Sequence, residues 1–133
     1  MLSLDPEWVI SIGLAAFLGI VFLQSGLDKI LDFSGNLEFI SQMFANAPVR
    51  VPVAPLLVCV TVAEVIAGGL SAAGALALLL GAGPVLAYWG AVFSGISLLM
   101  VLFGQRLSKA YADAAVIAPY FLVTCLAVYM LGG

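Results

Sequence analysis

Four long apolar stretches, separated by short connections, account for most of this chain. They cover approximately residues 8–31, 52–80, 84–103 and 112–131. A helix needs about 20 apolar residues to cross the hydrocarbon core of a bilayer, and each stretch reaches that length. The sequence is 65% hydrophobic and only 8% charged, which excludes a soluble domain. We therefore predict an all-α bundle of four transmembrane helices, with residues 1–133 forming a single membrane domain.

The connections between the predicted spans differ in character. The segment 81–84, Gly-Ala-Gly-Pro, is so short that the second and third spans must pack as an antiparallel pair. In the first connection, residues 33–49 mix large apolar side chains with polar ones. That pattern predicts a short amphipathic helix lying in the membrane interface and ended by Pro48, with an irregular loop as the alternative.

Basic residues lie in two of the connections. Lys29 and Arg50 flank the first, Arg106 and Lys109 lie in the third, and neither terminus has any. The positive-inside rule then puts the first and third connections in the cytoplasm and both termini outside. We expect a multi-pass protein of a bacterial inner membrane.

Small residues at four-residue spacing predict close contacts between the spans. In lipid, helix association depends on such residues because the tails remove the usual hydrophobic driving force. The third span has Gly83, Ala87, Ala91 and Gly95, and the second has a similar series from 63 to 75. These series are common in membrane bundles and indicate packing rather than function.

Glu64 lies near the middle of the second span, where a carboxylate is costly to place. A charged side chain at the centre of a membrane helix costs roughly 2.5–3.5 kcal/mol on insertion scales, so it normally faces protein or trapped water. At 1.5 Å per residue, Glu64 lies about 18 Å from the side of the first and third connections. This residue is the strongest candidate for a functional site.

Other polar residues occur at a comparable depth in the remaining spans. We predict that Gln24, Ser25, Ser94 and Tyr120 form a polar layer with Glu64, above a cleft whose mouth carries Asp28, Lys29, Asp32 and Asp113. In one interpretation the layer holds Glu64 where it binds a ligand or exchanges a proton with it. In the other, Glu64 forms a structural ion pair with Lys29. If the helix ends are flush, about 12 Å separates the two along the axis, and a first helix seated deeper would close that gap.

Several chemistries are excluded by residues that the sequence lacks. It contains no histidine, which removes histidine haem ligation and most catalytic triads. Cys59 and Cys125 lie in different spans and form no C-x-x-C pair, so we expect no metal and no dithiol site, although a mutual disulfide stays an alternative. The few basic residues argue against nucleic acid as a partner.

Two segments resemble the DoxX family of small membrane proteins. Residues 18–33, LGIVFLQSGLDKILDF, resemble the family's first helix, and residues 63–69, AEVIAGG, resemble its second-helix glutamate with the following glycines, Gly68 and Gly69. By this match Gly26, Lys29 and Glu64 are the characteristic positions, and we expect Gly26, Gly68 and Gly69 to pack against neighbouring helices. Ser25 stands where related sequences often have histidine. The resemblance implies four spans and a link to membrane redox enzymes.

Two hypotheses of function follow, and the sequence does not decide whether the chain is an enzyme. In the first, it is an accessory subunit of a membrane redox system that binds quinone near Glu64, which requires an apolar crevice there. In the second, it is a non-catalytic structural or assembly subunit that packs against other membrane subunits or against its own copies. A proton-coupled carrier is a weaker third.

Overall fold

The computed structural model describes residues 5–45 and 52–132, which form five α-helices and no strand. The helices are α1 (Pro6–Leu31), α2 (Phe33–Phe44), α3 (Val53–Leu79), α4 (Val85–Leu107) and α5 (Tyr111–Gly132). Of these, α1, α3, α4 and α5 are long and apolar enough to cross a membrane. The predicted all-α bundle is therefore confirmed, and the ends of these helices lie within four residues of the predicted spans.

The helix ends follow from local sequence. Proline begins α1 at a position where its missing N–H is not needed, and Glu7 follows in the first turn. Gly81 and Gly83 form the turn between α3 and α4 with φ of +77° and +95°, a backbone region that L side chains rarely adopt. Gly83 was predicted to pack between helices, but its role is this turn, since a Cβ there would meet nothing within 4 Å.

Helix α3 is the central element of the bundle, with α1 on one side and α4 on the other. Gly68 lies directly against the backbone of Phe22 and Leu23 on α1, so an added Cβ would clash with main-chain atoms. On the opposite side, Gly74 meets the backbone of Ala87 in the same manner. Backbones approach this closely only where side chains are absent or small, as expected for helices in lipid.

The other predicted packing positions have different surroundings. Ala91 is fully buried in the core, and Gly95 makes an ordinary contact, in which a Cβ would lie 3.4 Å from Thr124. Gly69 does not pack against another helix, because it is exposed and a Cβ there would meet nothing within 4 Å. Gly69 points 100° away from Gly68 around the helix, and only one of the two can face α1.

Helix α1 is displaced along its axis relative to α3. Gly19 faces Ala72 and Gly26 faces Val65, a register that puts Leu31, the last residue of α1, level with Val60 rather than with the start of α3. Helix α1 therefore stops about 10 Å short of that end of the bundle at 1.5 Å per residue. Helices α3 and α4, by contrast, have nearly flush ends.

Helix α2 follows α1 after a single non-helical residue, Asp32, with φ −131° and ψ 54°. It contains no buried residue and contacts α3 and α1. The predicted amphipathic helix in the first connection is confirmed, and the loop alternative is wrong for residues 33–44. Its predicted end at Pro48, and Arg50 beyond it, lie outside the described residues.

Candidate functional site

Glu64 forms an ion pair with Lys29 inside the bundle. The side chains of Lys29 and Glu64 are 15% and 6% exposed, and Lys29 Nζ lies 2.9 Å from Glu64 Oε1. Apart from this ion pair, Oε1 is buried and accepts no hydrogen bond from the described residues. The carboxylate therefore has a charge partner but keeps an acceptor position that no described group fills.

Ser25 connects the two charged groups. Lys29 Nζ donates a hydrogen bond to Ser25 Oγ over 2.8 Å, and Ser25 Oγ donates to Glu64 Oε2 over 3.0 Å. Ser25 and Lys29 are one helical turn apart on α1, so both side chains project from the same face. We call these three residues the Lys29–Ser25–Glu64 cluster.

The displacement of α1 explains why the ion pair forms. A Cβ added at Gly26 would lie 2.8 Å from Val65 Cγ2, so α1 and α3 are in close contact beside the cluster. In this register Glu64 is level with Leu27, and Lys29 is only about 3 Å away along the axis. The gap of about 12 Å applies to flush ends, and the structure has the alternative arrangement, in which the first helix is seated deeper in the bundle and closes that gap.

A cavity of about 490 Å³ lies below the cluster. It extends beside α1 into the space left where that helix stops, and α2 lines one side of it with Phe39, Ile40, Met43 and Phe44. The remaining walls come from α1, the first half of α3, the second half of α4 and the first half of α5, and they are mostly apolar. Its polar lining residues are Ser25, Lys29, Asn36, Glu64, Gln105 and Tyr120. The volume is typical of a site for a small molecule.

The polar residues that line the cavity lie at two different depths in the bundle. Glu64 is 11 residues from the start of α3 and Tyr120 nine from the start of α5, so both lie about 14–16 Å inside the bundle. Gln105 is two residues from the end of α4. Phe44 closes the same end, since its Cζ would lie 3.2 Å from a Cβ added at Gly104. We call this end, between α2 and α4, the mouth.

Several predicted site residues do not join the cluster. Gln24 is exposed on the outside of α1, and Ser94 is buried but donates its hydroxyl to the backbone oxygen of Gly90 over 2.7 Å. Asp28, Asp32 and Asp113 are exposed and do not line the cavity. Equal depth was a correct guide for Ser25 only, because depth alone does not say which way a side chain faces. Tyr120 lines the same cavity, but its hydroxyl forms no hydrogen bond with the cluster among the described contacts.

Asn36, Gln105 and Phe44 are among the cavity residues that the sequence did not predict. Asn36 donates to the backbone oxygen of Asp32 over 2.9 Å and so supports the turn between α1 and α2. Gln105 and Phe44 lie at the mouth. The apolar face of the amphipathic segment was the available signal for Phe44, while nothing in the local sequence distinguished Gln105 from a residue in water. Cys59 and Cys125 are exposed free thiols, so the disulfide alternative is wrong.

The four spanning helices and their largely apolar outer surface define a multi-pass helical membrane protein with a buried charged pair next to a cavity. Comparison of the chain with models of protein families, with curated proteins and with solved structures finds no match. The function therefore has to be argued from the cluster and the cavity.

Proposed function

We propose that this chain is a DoxX-like accessory subunit of a membrane redox system and that it binds a quinone beside Glu64. The observation that carries the proposal is the position of the Lys29–Ser25–Glu64 cluster deep in the wall of a mostly apolar cavity. Ligand sites commonly combine apolar walls with a few polar groups that orient the ligand. A buried ion pair that only joined two helices would not need a cavity next to it.

The donors of the cluster suit a carbonyl ligand. Lys29 has three N–H donors, and the described residues offer it two acceptors, Ser25 Oγ and Glu64 Oε1. The third N–H is available to a quinone carbonyl oxygen, and Glu64 Oε1 accepts nothing from the described residues besides its contact with Lys29. When bound, a quinone would supply redox chemistry, while Lys29 would orient it and the apolar walls would cover its tail.

The proposed setting is a bacterial inner membrane with both termini outside. Arg106 and Lys109 lie at the same end of the bundle as the mouth, and basic residues favour the cytoplasmic side. The site would then open towards the cytoplasmic half of the bilayer. Partner subunits, or further copies of this chain, would contact the exposed apolar helix faces.

The test is purification of the full chain in mild detergent, followed by mass spectrometry of the quinones that copurify. We expect bound quinone with the wild type and with Glu38→Gln, an exposed glutamate that does not line the cavity. Glu64→Gln should lose most of it, since the amide removes the partner that holds Lys29 in place. Retention of quinone by Glu64→Gln, or its absence from the wild type, would contradict the proposal.

A structural or assembly subunit is the second candidate, and the closed Lys29–Glu64 contact favours it. The ion pair joins α1 directly to α3, with 2.9 Å between Lys29 Nζ and Glu64 Oε1. In this case the same purification would yield a membrane protein in fixed stoichiometry and no quinone. Such a result with the wild type would replace the first proposal by the second.

A further inference from the structure

The two charged residues that line the cavity, Lys29 and Glu64, lie at its buried side, whereas the charges of the surrounding lipid lie at the surface. A phospholipid has its charged group at the surface and its tails at the centre of the bilayer. Here the charged cluster lies about 14–16 Å inside the bundle at 1.5 Å per residue. The described lining residues at the end near the surface are uncharged: the apolar side chains of Phe39, Met43 and Phe44, with the polar Gln105 beside them.

A phospholipid in its ordinary orientation would therefore be mismatched at both ends. Its acyl chains would lie against the buried charges of Lys29 and Glu64, which would lose their polar surroundings. Turning it over would bring a phosphate deep into the bundle. There Lys29 is already neutralised by Glu64, and the carboxylate would repel a second anion.

From this geometry we infer that the cavity takes an amphiphile whose polar end is uncharged and enters first, so that the bound molecule lies inverted relative to the lipids around it. The polar end accepts a hydrogen bond from Lys29, and the apolar part extends along α2 towards Phe44 and the mouth. This inference rests on the proposed binding function and adds the orientation and the class of ligand.

The route of entry follows from the same surfaces. Among the described walls of the cavity, only α2 has no buried residue. It is attached to α1 through Asp32, and its far end contacts α4, where Phe44 lies against Gly104. The mouth is thus the least tightly packed border of the cavity. A ligand that enters there with its polar end leading reaches Lys29 without turning.

Single tryptophans report which end of a ligand lies where. The full chain with Trp8→Phe and Trp89→Phe receives either Tyr120→Trp at the inner end or Phe44→Trp at the mouth. The protein is placed in phosphatidylcholine vesicles and titrated with decylubiquinone, whose ring quenches nearby tryptophan. We expect saturable quenching that is several-fold stronger for Tyr120→Trp. Val21→Trp and Ile40→Trp repeat the comparison in case one variant fails to fold.

The outcomes separate this inference from the function on which it rests. Stronger saturable quenching at Phe44→Trp would overturn the orientation and leave quinone binding intact. No saturable quenching at either position would overturn both. In vesicles of acyl-brominated phosphatidylcholine without quinone, we expect Tyr120→Trp to be quenched several-fold less than Trp89 in a separate Trp8→Phe protein, where that exposed residue is the single tryptophan. Equal quenching would identify phospholipid as the occupant and overturn the ligand class.

Discussion

Lys29 of α1 and Glu64 of α3 lie far apart in the sequence, yet their charged atoms are 2.9 Å apart, and the hydroxyl of Ser25 bonds to both side chains. In an apolar interior, a pair of this kind leaves an uncompensated charge when one member is removed, whereas removal of both is often close to neutral. The contribution of the pair to stability can therefore be separated from the packing of α1 on α3.

Lys29→Met should lower the stability of the folded protein, because it leaves the Glu64 carboxylate without its charge partner. We expect a loss of about 3–5 kcal/mol, and recovery of most of it in the double variant Lys29→Met/Glu64→Met. Thermal unfolding in detergent, followed by circular dichroism, measures both. The matched control is Lys109→Met, an exposed lysine in the α4–α5 connection. Equal unfolding temperatures for Lys29→Met and Lys109→Met would show that the ion pair contributes nothing.

Gly68→Ala should separate α1 from α3, because the added methyl group would overlap the backbone of Phe22 and Leu23. Overpacking of this type typically costs about 1–3 kcal/mol. Gly69→Ala is an adjacent control, with open space at the new Cβ, and it should be neutral or slightly stabilising. The same unfolding assay compares them. A Gly69→Ala protein that unfolds as early as Gly68→Ala would contradict the close contact.

Ser25→Ala should destabilise the cluster, since Glu64 Oε2 loses its donor and Lys29 loses one acceptor. A buried polar group left without its partner costs about 1–3 kcal/mol. Gln24→Ala serves as the control, because that side chain is exposed on the outside of α1 and does not line the cavity. We expect a lower unfolding temperature for Ser25→Ala alone. A larger effect of Gln24→Ala would mean that α1 is rotated relative to the arrangement described above.

Phe44→Ala should open the mouth, because it removes the ring that lies against Gly104. Access is measured with Ser25→Cys, in a background where Cys59→Ser and Cys125→Ser remove the exposed native thiols. A water-soluble maleimide should label this cysteine several-fold faster when Phe44→Ala is added. Phe33→Ala is the control, since Phe33 lies on α2 but does not line the cavity. Unchanged labelling with Phe44→Ala would show that α2 does not limit access.

The number and type of the helices could be predicted because they depend on local properties. A run of about 20 apolar residues is long enough to span a bilayer whatever surrounds it. The amphipathic pattern that became α2 is likewise visible within its own 12 residues. Glu64 stood out for a related reason, since a carboxylate at that depth needs a partner in any bundle.

The partner of Glu64 could not be predicted in the same way, because it depends on the position of α1 along the axis of α3. That register follows from where Gly26 and Gly68 allow the two backbones to touch, which is a property of both helices together. A flush alignment separates Lys29 from Glu64, whereas the observed one brings them together and leaves space beneath α1. This displacement creates the cavity and leaves Phe44 at its mouth. The rotation of α1 about its axis directs Gln24 outward. The hydropathy of a sequence reports neither the displacement of a helix nor its rotation, so these features could not be predicted.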